Sequence, residues 1–235
     1  MTNDEVRLRE RFVLLGRSLF ERGFGVGTSG NLSVRSGDHI AITPSGVPYE
    51  NLTAASICVV DLDGRPVEEG LAPSSELPMH TRVYAETDAL AVVHTHPLYA
   101  TALSTLVDEL PAIHYMVALL GGPVRVAPYA TYGSPELAEG SVRALAGRYG
   151  VILQNHGATT YGDTLDKAYT RSIYLEWLCR LYHQAQLLGQ PRLLPPEEIE
   201  RVARMLGSYG QNPIGHGRYS DPVLPLPRSE PAGHH

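Results

Sequence analysis

Ala89-Leu90-Ala91-Val92-Val93-His94-Thr95-His96-Pro97 is an apolar run of strand length that ends in two histidines and is closed by a proline. A continuous apolar run of this length predicts a buried strand over residues 89–95. Residues i and i+2 of a strand share a face, so His94 and His96 project to one side. They lie about 7 Å apart along the strand and can converge on one ion. A second short apolar run, Val151-Ile152-Leu153-Gln154, ends in Asn155-His156-Gly157, where the glycine permits close backbone approach. An isolated His-x-His is more often a pair of packing or surface histidines. The matching position of His156 makes this pair a candidate metal site, because two strands emerging in histidines leave three nitrogens and an open position, the pattern of catalytic zinc.

A catalytic metal site also needs a base. Glu76 follows Ser74-Ser75 at a predicted helix start, where the helix field favours its ionised form. Alone, a glutamate there is usually a surface charge; beside the histidines it is a candidate acid/base. His80, one turn on, reads as a packing residue or one that supports the site from behind.

Three turns are rich in hydrogen-bond donors. Gly25-Val26-Gly27-Thr28-Ser29-Gly30-Asn31 can turn successive N–H groups inward as an anion nest, with Thr28 and Asn31 adding side-chain donors. It is no nucleotide fingerprint: it follows a helix, precedes a strand and lacks the phosphate-binding lysine. Thr43-Pro44-Ser45-Gly46 is the second turn, and Ser74-Ser75, at a helix N-terminus, is the third. Together they point to a phosphate held largely by neutral donors.

Outward from these motifs, Leu8, Phe12, Leu15 and Leu19 step with helical period, predicting a helix over 4–22 that stops at Gly23. Short strands are predicted at 31–35 and 39–43 around Ser36-Gly37-Asp38, and 57–61 is β-rich ahead of an Asp63-Gly64 turn. Helices are predicted over 76–86 with Ser75 as N-cap, 99–106, about 135–149 behind Ser134, 164–188 with Asp163 as cap, and 195–206. Because the early strands come in hairpins, the expected fold is α/β: a mixed, mostly antiparallel central sheet flanked by helices, rather than a doubly wound one. One domain over residues 1–210 with an extended Pro/Gly-rich tail over 211–235 is the simplest organisation.

The chain has 235 residues and a formal net charge of −6, with no basic block, which argues against nucleic acid as a partner. No run of about 18 apolar residues suggests a membrane span, and residues 1–11 lack a secretory apolar core. Cys58 and Cys179 form no CxxC pair, so a cytoplasmic location is expected. Lys167 is the only lysine against 18 arginines, and it lies beside Asp166. A solvated, ion-paired lysine is a poor imine former, so any chemistry here that must polarise a carbonyl would use a metal rather than a Schiff base.

Five motifs, Gly27-Thr28-Ser29-Gly30-Asn31-Leu32-Ser33, Thr43-Pro44-Ser45-Gly46, Pro73-Ser74-Ser75-Glu76, Val93-His94-Thr95-His96 and Gln154-Asn155-His156-Gly157, stand in the order and spacing of the class II aldolase/adducin family, which the chain resembles over roughly residues 5–210. Ile113-His114-Tyr115-Met116, Ala127-Pro128-Tyr129-Ala130-Thr131 and Ser208-Tyr209-Gly210 resemble its fuculose-phosphate aldolase branch. The resemblance implies zinc on His94, His96 and His156, with Glu76 a ligand at rest and the acid/base with substrate bound; another divalent ion is the alternative, since a histidine-rich site accepts several. It implies phosphate contacts from Thr28, Asn31, Ser45, Gly46, Ser74 and Ser75. It further implies a homotetramer in which Tyr115 of a neighbouring subunit acts as acid or base at the aldehyde oxygen and Tyr209 helps close the site. The implied activity is reversible cleavage of a (deoxy)ketose 1-phosphate, such as L-fuculose 1-phosphate, to dihydroxyacetone phosphate and a small aldehyde. The alternatives are a pentulose-phosphate 4-epimerase, a tetronate-phosphate decarboxylase or a sugar-phosphate dehydratase on the same metal site and, more remotely, a non-catalytic adducin-like assembly module. Two positions depart from the fuculose-phosphate branch: Thr95 stands where asparagine is common, and Asn155 where another histidine is.

Overall fold

The structure, a computed structural model, describes residues 3–207; Tyr209 and the tail over 211–235 lie outside them. Strands β1 (Asn31–Ser36), β2 (His39–Ile42), β3 (Cys58–Asp61), β4 (Ala91–Thr95), β5 (Glu109–Leu110), β6 (Val124–Ala127), β7 (Gly150–Leu153) and β8 (Gly157–Gly162) form one sheet. Its order is β3-β2-β1-β4-β8-β7-β6-β5. Every neighbouring pair is antiparallel except β6 with β7, as the mixed, mostly antiparallel expectation requires. The helices are α1 (Asn3–Glu21), α2 (Leu77–Glu86), α3 (Leu98–Ser104), α4 (Pro135–Leu145), α5 (Leu165–Leu188) and α6 (Pro196–Leu206).

Both faces of the sheet are covered, which is why β4 reads as a continuous apolar run. Val92 packs with Leu77, Met79 and Val83 of α2 and Leu137 and Leu145 of α4. Ala91 and Val93 pack with Phe12, Leu15 and Leu19 of α1 and Leu165 and Tyr169 of α5. The strand alternation then fixes where each polar side chain of the central strands goes. His94 follows the parity of Val92 to the α2 face, whereas Thr95 goes to the α5 face and bonds Ser172 Oγ at 3.2 Å. On β8, Thr159 shares the α2 face with Tyr161, while Thr160 donates to the Ala168 carbonyl of α5 at 2.8 Å. On β1, Leu32 goes to the α1 side, which leaves Asn31 and Ser33 facing α2.

Several boundaries differ from the sequence expectation. The N-cap of α2 is Glu76, not Ser75, and the Glu76 N–H donates to Ser74 Oγ at 3.2 Å; Pro78 sits in the first turn, where its missing N–H costs no helical bond. Helix α5 is capped by Thr164, whose hydroxyl accepts from the Lys167 N–H at 3.2 Å, while Asp163, one residue earlier, pairs with the Lys167 ammonium at 2.7 Å. Asp166 pairs instead with Arg11. Helix α4 stops at Leu145, so that Gly147 can take φ 68° in the turn into β7. Strands β5, β6 and β8 had no sequence forecast.

Candidate metal and anion site

Four side chains meet above the ends of β4 and β7 and the start of α2. His94 Nε2 lies 2.7 Å from Glu76 Oε2, and His156 Nε2 lies 3.3 Å from Glu76 Oε1. His94 and His96 bring their Nε2 atoms to 2.9 Å. The three rings stand edge to face, with centroids 4.8–4.9 Å apart, and one potential ligand atom from each of the four residues lies within 4.8 Å of the others. Tight turns make this possible. Asn155 takes φ 55°, its N–H donating to Ser104 Oγ at 2.9 Å, and a Cβ on Gly157 would meet the Thr95 carbonyl at 2.3 Å. The His96 N–H donates to the Phe24 carbonyl at 2.8 Å, tying the glycine-rich loop to the histidine pair.

The donor set fits a divalent cation. Imidazole nitrogens and carboxylate oxygens crowd one point, and Glu76 Oε1 is buried without a hydrogen-bond donor of its own. Ordinary hydrogen bonding leaves that oxygen unsatisfied, whereas a cation would satisfy it and the converging Nε2 lone pairs together. Burial, followed by repulsion from His94 and His156, pushes His96 down to about 3. Burial likewise brings His156 to about 4, so both rings are neutral and ready to ligate at pH 7. Burial alone would push the Glu76 carboxyl up, but His94, its hydrogen bond, His156 and Asn31 hold it well below the usual carboxylate range.

The sheet and helix support this cluster from behind. Asn31 is in register with His94 across β1 and β4, and its Nδ2 donates to Glu76 Oε2 at 3.4 Å. His94 Nδ1 meets Thr159 Oγ1 at 3.0 Å. His80 is fully buried and bonds Asn31 and Ser33, so it supports the site rather than joining the ligands. Thr159 and Ser33 escaped sequence reasoning; their signal was parity with His94 on neighbouring strands, which is readable only once strand order is known.

The donor-rich turns gather at the same place. Ser74 N–H donates to the Thr43 carbonyl at 3.1 Å and Ser45 N–H to the Ala72 carbonyl at 2.9 Å, so two of the three turns are zipped together through the Pro44–Pro73 bridge. These two N–H groups are therefore committed. The Ser45 and Ser75 hydroxyls and the exposed Thr28 hydroxyl make no hydrogen bond among the described residues and remain available to an anion. Asn31 and Ser74 are buried beneath them, while Ser45, Gly46 and Ser75 are exposed. Tyr115 is placed differently: 48% exposed on the 3-10 turn Tyr115–Leu120, it stacks on His114 at 4.4 Å and makes no bond to the cluster within its own chain.

Residues 10–183 match the family described as Class II Aldolase and Adducin N-terminal domain. A 5-deoxy-D-ribulose 1-phosphate aldolase of Bacillus thuringiensis is 36% identical over 206 residues, 86% of this chain and 97% of the relative. The L-fuculose phosphate aldolase of Escherichia coli is 42% identical over 191 residues, 80% of this chain and 88% of the relative. Among solved structures, an L-fuculose 1-phosphate aldolase superimposes with a TM-score of 0.84 at 38% identity, covering 88% of this chain and 98% of its own. The chain therefore belongs to the class II aldolase and adducin family. Within it, fold and relatives together define a lyase of the class II aldolase type.

Proposed function

We propose that the protein is a zinc-dependent aldolase that reversibly cleaves a (deoxy)ketose 1-phosphate to dihydroxyacetone phosphate and a small aldehyde. L-fuculose 1-phosphate and 5-deoxyribulose 1-phosphate are the two substrates to try first, because relatives named for each align over most of their length. The observation that carries the reading is the convergence of Glu76 with His94, His96 and His156 beside hydroxyl-lined turns. Three nitrogens and a carboxylate suit zinc. A cation held there supplies Lewis-acid polarisation of a carbonyl oxygen.

The chain's own residues do the rest. Thr28, Asn31, Ser45, Gly46, Ser74 and Ser75 hold the phosphate and so fix the ketose relative to Glu76. In the synthetic direction the ionised Glu76 carboxylate takes the proton from the carbon that attacks; in cleavage Glu76, protonated from solvent, returns it to the carbon freed. Tyr115 of a neighbouring subunit in a homotetramer accepts the proton from the hydroxyl that becomes the aldehyde. Its exposure and lack of any bond to the cluster in its own chain favour a role across a subunit boundary. By the family resemblance alone, Tyr209, which lies outside the described residues, is assigned to help close the site.

The test is release of dihydroxyacetone phosphate from each substrate, before chelation, after chelation and after zinc is restored. Chelator-sensitive, zinc-restored release supports the reading, and the ratio of the two rates assigns the substrate. No release from zinc-loaded protein overturns it in favour of epimerase, decarboxylase or dehydratase chemistry.

A further inference from the structure

Behind Glu76 a line of buried polar side chains runs away from the cleft. Asn31 Nδ2 meets Glu76 Oε2 at 3.4 Å, Asn31 Oδ1 meets His80 Nε2 at 2.5 Å, and His80 Nδ1 meets Ser33 Oγ at 2.6 Å. Ser33 Oγ in turn meets the Tyr84 hydroxyl at 2.6 Å. All of these groups are buried: His80 and Ser33 at 0%, Tyr84 at 3% and Asn31 at 5% exposure. Glu76, His80 and Tyr84 stand at i, i+4 and i+8 along α2, and Asn31 and Ser33 at i and i+2 along β1, so one helix face meets one strand face.

The donors in this line can be oriented from its charged end. An ionised carboxylate only accepts, so the Asn31 amide must turn its NH2 toward Glu76 and its oxygen toward His80. His80 must then carry its proton on Nε2 and accept at Nδ1. Ser33 donates to that nitrogen and accepts from Tyr84. The opposite tautomer would place the Asn31 carbonyl oxygen against the Glu76 carboxylate, with no donor between them.

We propose that His80, held by Ser33 and Tyr84, is a positioning residue that locks the Asn31 amide as a donor toward Glu76 and so fixes the carboxylate that faces the three histidines. The inference rests on the reading of Glu76 as ligand and acid/base, and it adds a residue that touches neither metal nor substrate. Removing groups that orient metal ligands commonly costs 10- to 100-fold in metal affinity or activity.

The experiment compares wild type with His80→Leu, His80→Gln and Ser33→Ala. It reads the zinc dissociation constant by chelator competition, kcat and KM for ketose-phosphate cleavage at saturating zinc, and the His80 tautomer by nitrogen NMR of the metal-free protein. The Gln amide can replace the Nε2–H donor, so His80→Gln should retain zinc affinity and kcat within about threefold. His80→Leu should lose about tenfold or more in both while KM changes little. Ser33→Ala, a smaller change that keeps the helix packed if the leucine variant does not fold, should weaken zinc binding and lower the Nε2–H population. A folded His80→Leu with wild-type zinc affinity and kcat overturns the proposal. So does a His80 found as the Nδ1–H tautomer, or a His80→Gln as impaired as His80→Leu. If wild type cleaves no ketose phosphate, the functional reading fails, but the tautomer and zinc affinity still decide the role of His80.

Discussion

His94 and Thr159 stand directly opposite each other on β4 and β8, and the imidazole Nδ1 meets the threonine hydroxyl at 3.0 Å. That hydroxyl donates onward to Met79 Sδ at 3.4 Å, so it is free to accept from His94. Accepting there places the ring proton on Nδ1 and would leave the Nε2 lone pair for a cation held with Glu76 and the other histidines. Thr159→Val keeps the volume but removes the acceptor. It should weaken zinc binding by about tenfold, on the scale of other groups that orient metal ligands. Thr159→Ser should bind nearly as wild type. Equal affinity in the valine variant, measured by chelator competition, would remove Thr159 from the site's support.

The proposed ligand set and the proposed acid/base separate in a pair of variants. His94→Ala should lose zinc and activity together, read by metal analysis and turnover on the same sample. Glu76→Gln keeps an oxygen for the cation, so most of its zinc should remain at saturating metal. Its turnover should fall by roughly 10²-fold or more, the usual scale for acid–base catalysis. A zinc-loaded Glu76→Gln with normal turnover would assign the proton transfer to another group.

Much of this was legible from residue order. His94, His96 and His156 could be picked out because an apolar strand ending in histidine needs no knowledge of its neighbours. Glu76 was legible as a first-turn carboxylate, although it proved to be the cap itself. Strand β8 escaped because Gly157-Ala158-Thr159-Thr160-Tyr161-Gly162 opens and closes on glycine and carries two threonines inside the protein. Those threonines are buried only because the His94 ring and the Ala168 carbonyl satisfy them, which is a tertiary fact. Strand β5, at two residues, is too short to show any period. The pairing of the Ser45 and Ser74 turns was equally invisible, since nothing local joins residues so far apart in the chain.

Glu176 supplies a pH dependence remote from the histidine cluster. Its two carboxylate oxygens accept the Tyr99 and Ala100 N–H groups at 2.9 and 2.8 Å, capping α3, whose own N-cap Pro97 offers no side-chain bond. Burial pushes its pKa up to about 7, against the pull of those N–H groups and Arg180. Below about pH 4.5 the carboxyl is protonated in both folded and unfolded chains, and no difference arises. Between 4.5 and 7 the unfolded chain releases its proton first, so stability contributed by this group falls as pH rises, and the full loss is present above 7. Glu176→Gln removes the titration. The melting temperature of wild type minus that of Glu176→Gln should therefore fall between pH 4.5 and 7 and level off above; a flat difference would refute the assignment.

Gly157 is required for space rather than for backbone freedom. A Cβ there would lie 2.3 Å from the Thr95 carbonyl and 3.1 Å from the His96 ring, and the carbonyl belongs to a buried strand that cannot swing aside. Gly157→Ala should destabilise by about 1–3 kcal/mol, the usual cost of overpacking. It should also separate His156 from His96, so zinc affinity falls along with the melting temperature. A variant with unchanged affinity would mean that β4 and β8 relax apart without disturbing the ligands.

Tyr115 tests the assembly. Its ring is half exposed and stacked on His114, which in turn meets Trp177 edge to face at 4.9 Å, so the side chain is held on a surface near α5. If it completes a neighbour's site, Tyr115→Phe should keep zinc, fold and oligomeric state and lose turnover by about 10²-fold, because only the proton-accepting oxygen is gone. Sedimentation should give four chains per particle for both proteins. Mixing supplies the sharper test. Tyr115→Phe and Glu76→Gln chains are each nearly inactive alone, but co-assembled from the unfolded state they should regain activity, since some sites then combine an intact Glu76 with a neighbour's intact Tyr115. A mixed assembly as inactive as its parents would place both groups in the same chain's site, and a monomer by sedimentation would leave Tyr115 without a catalytic role.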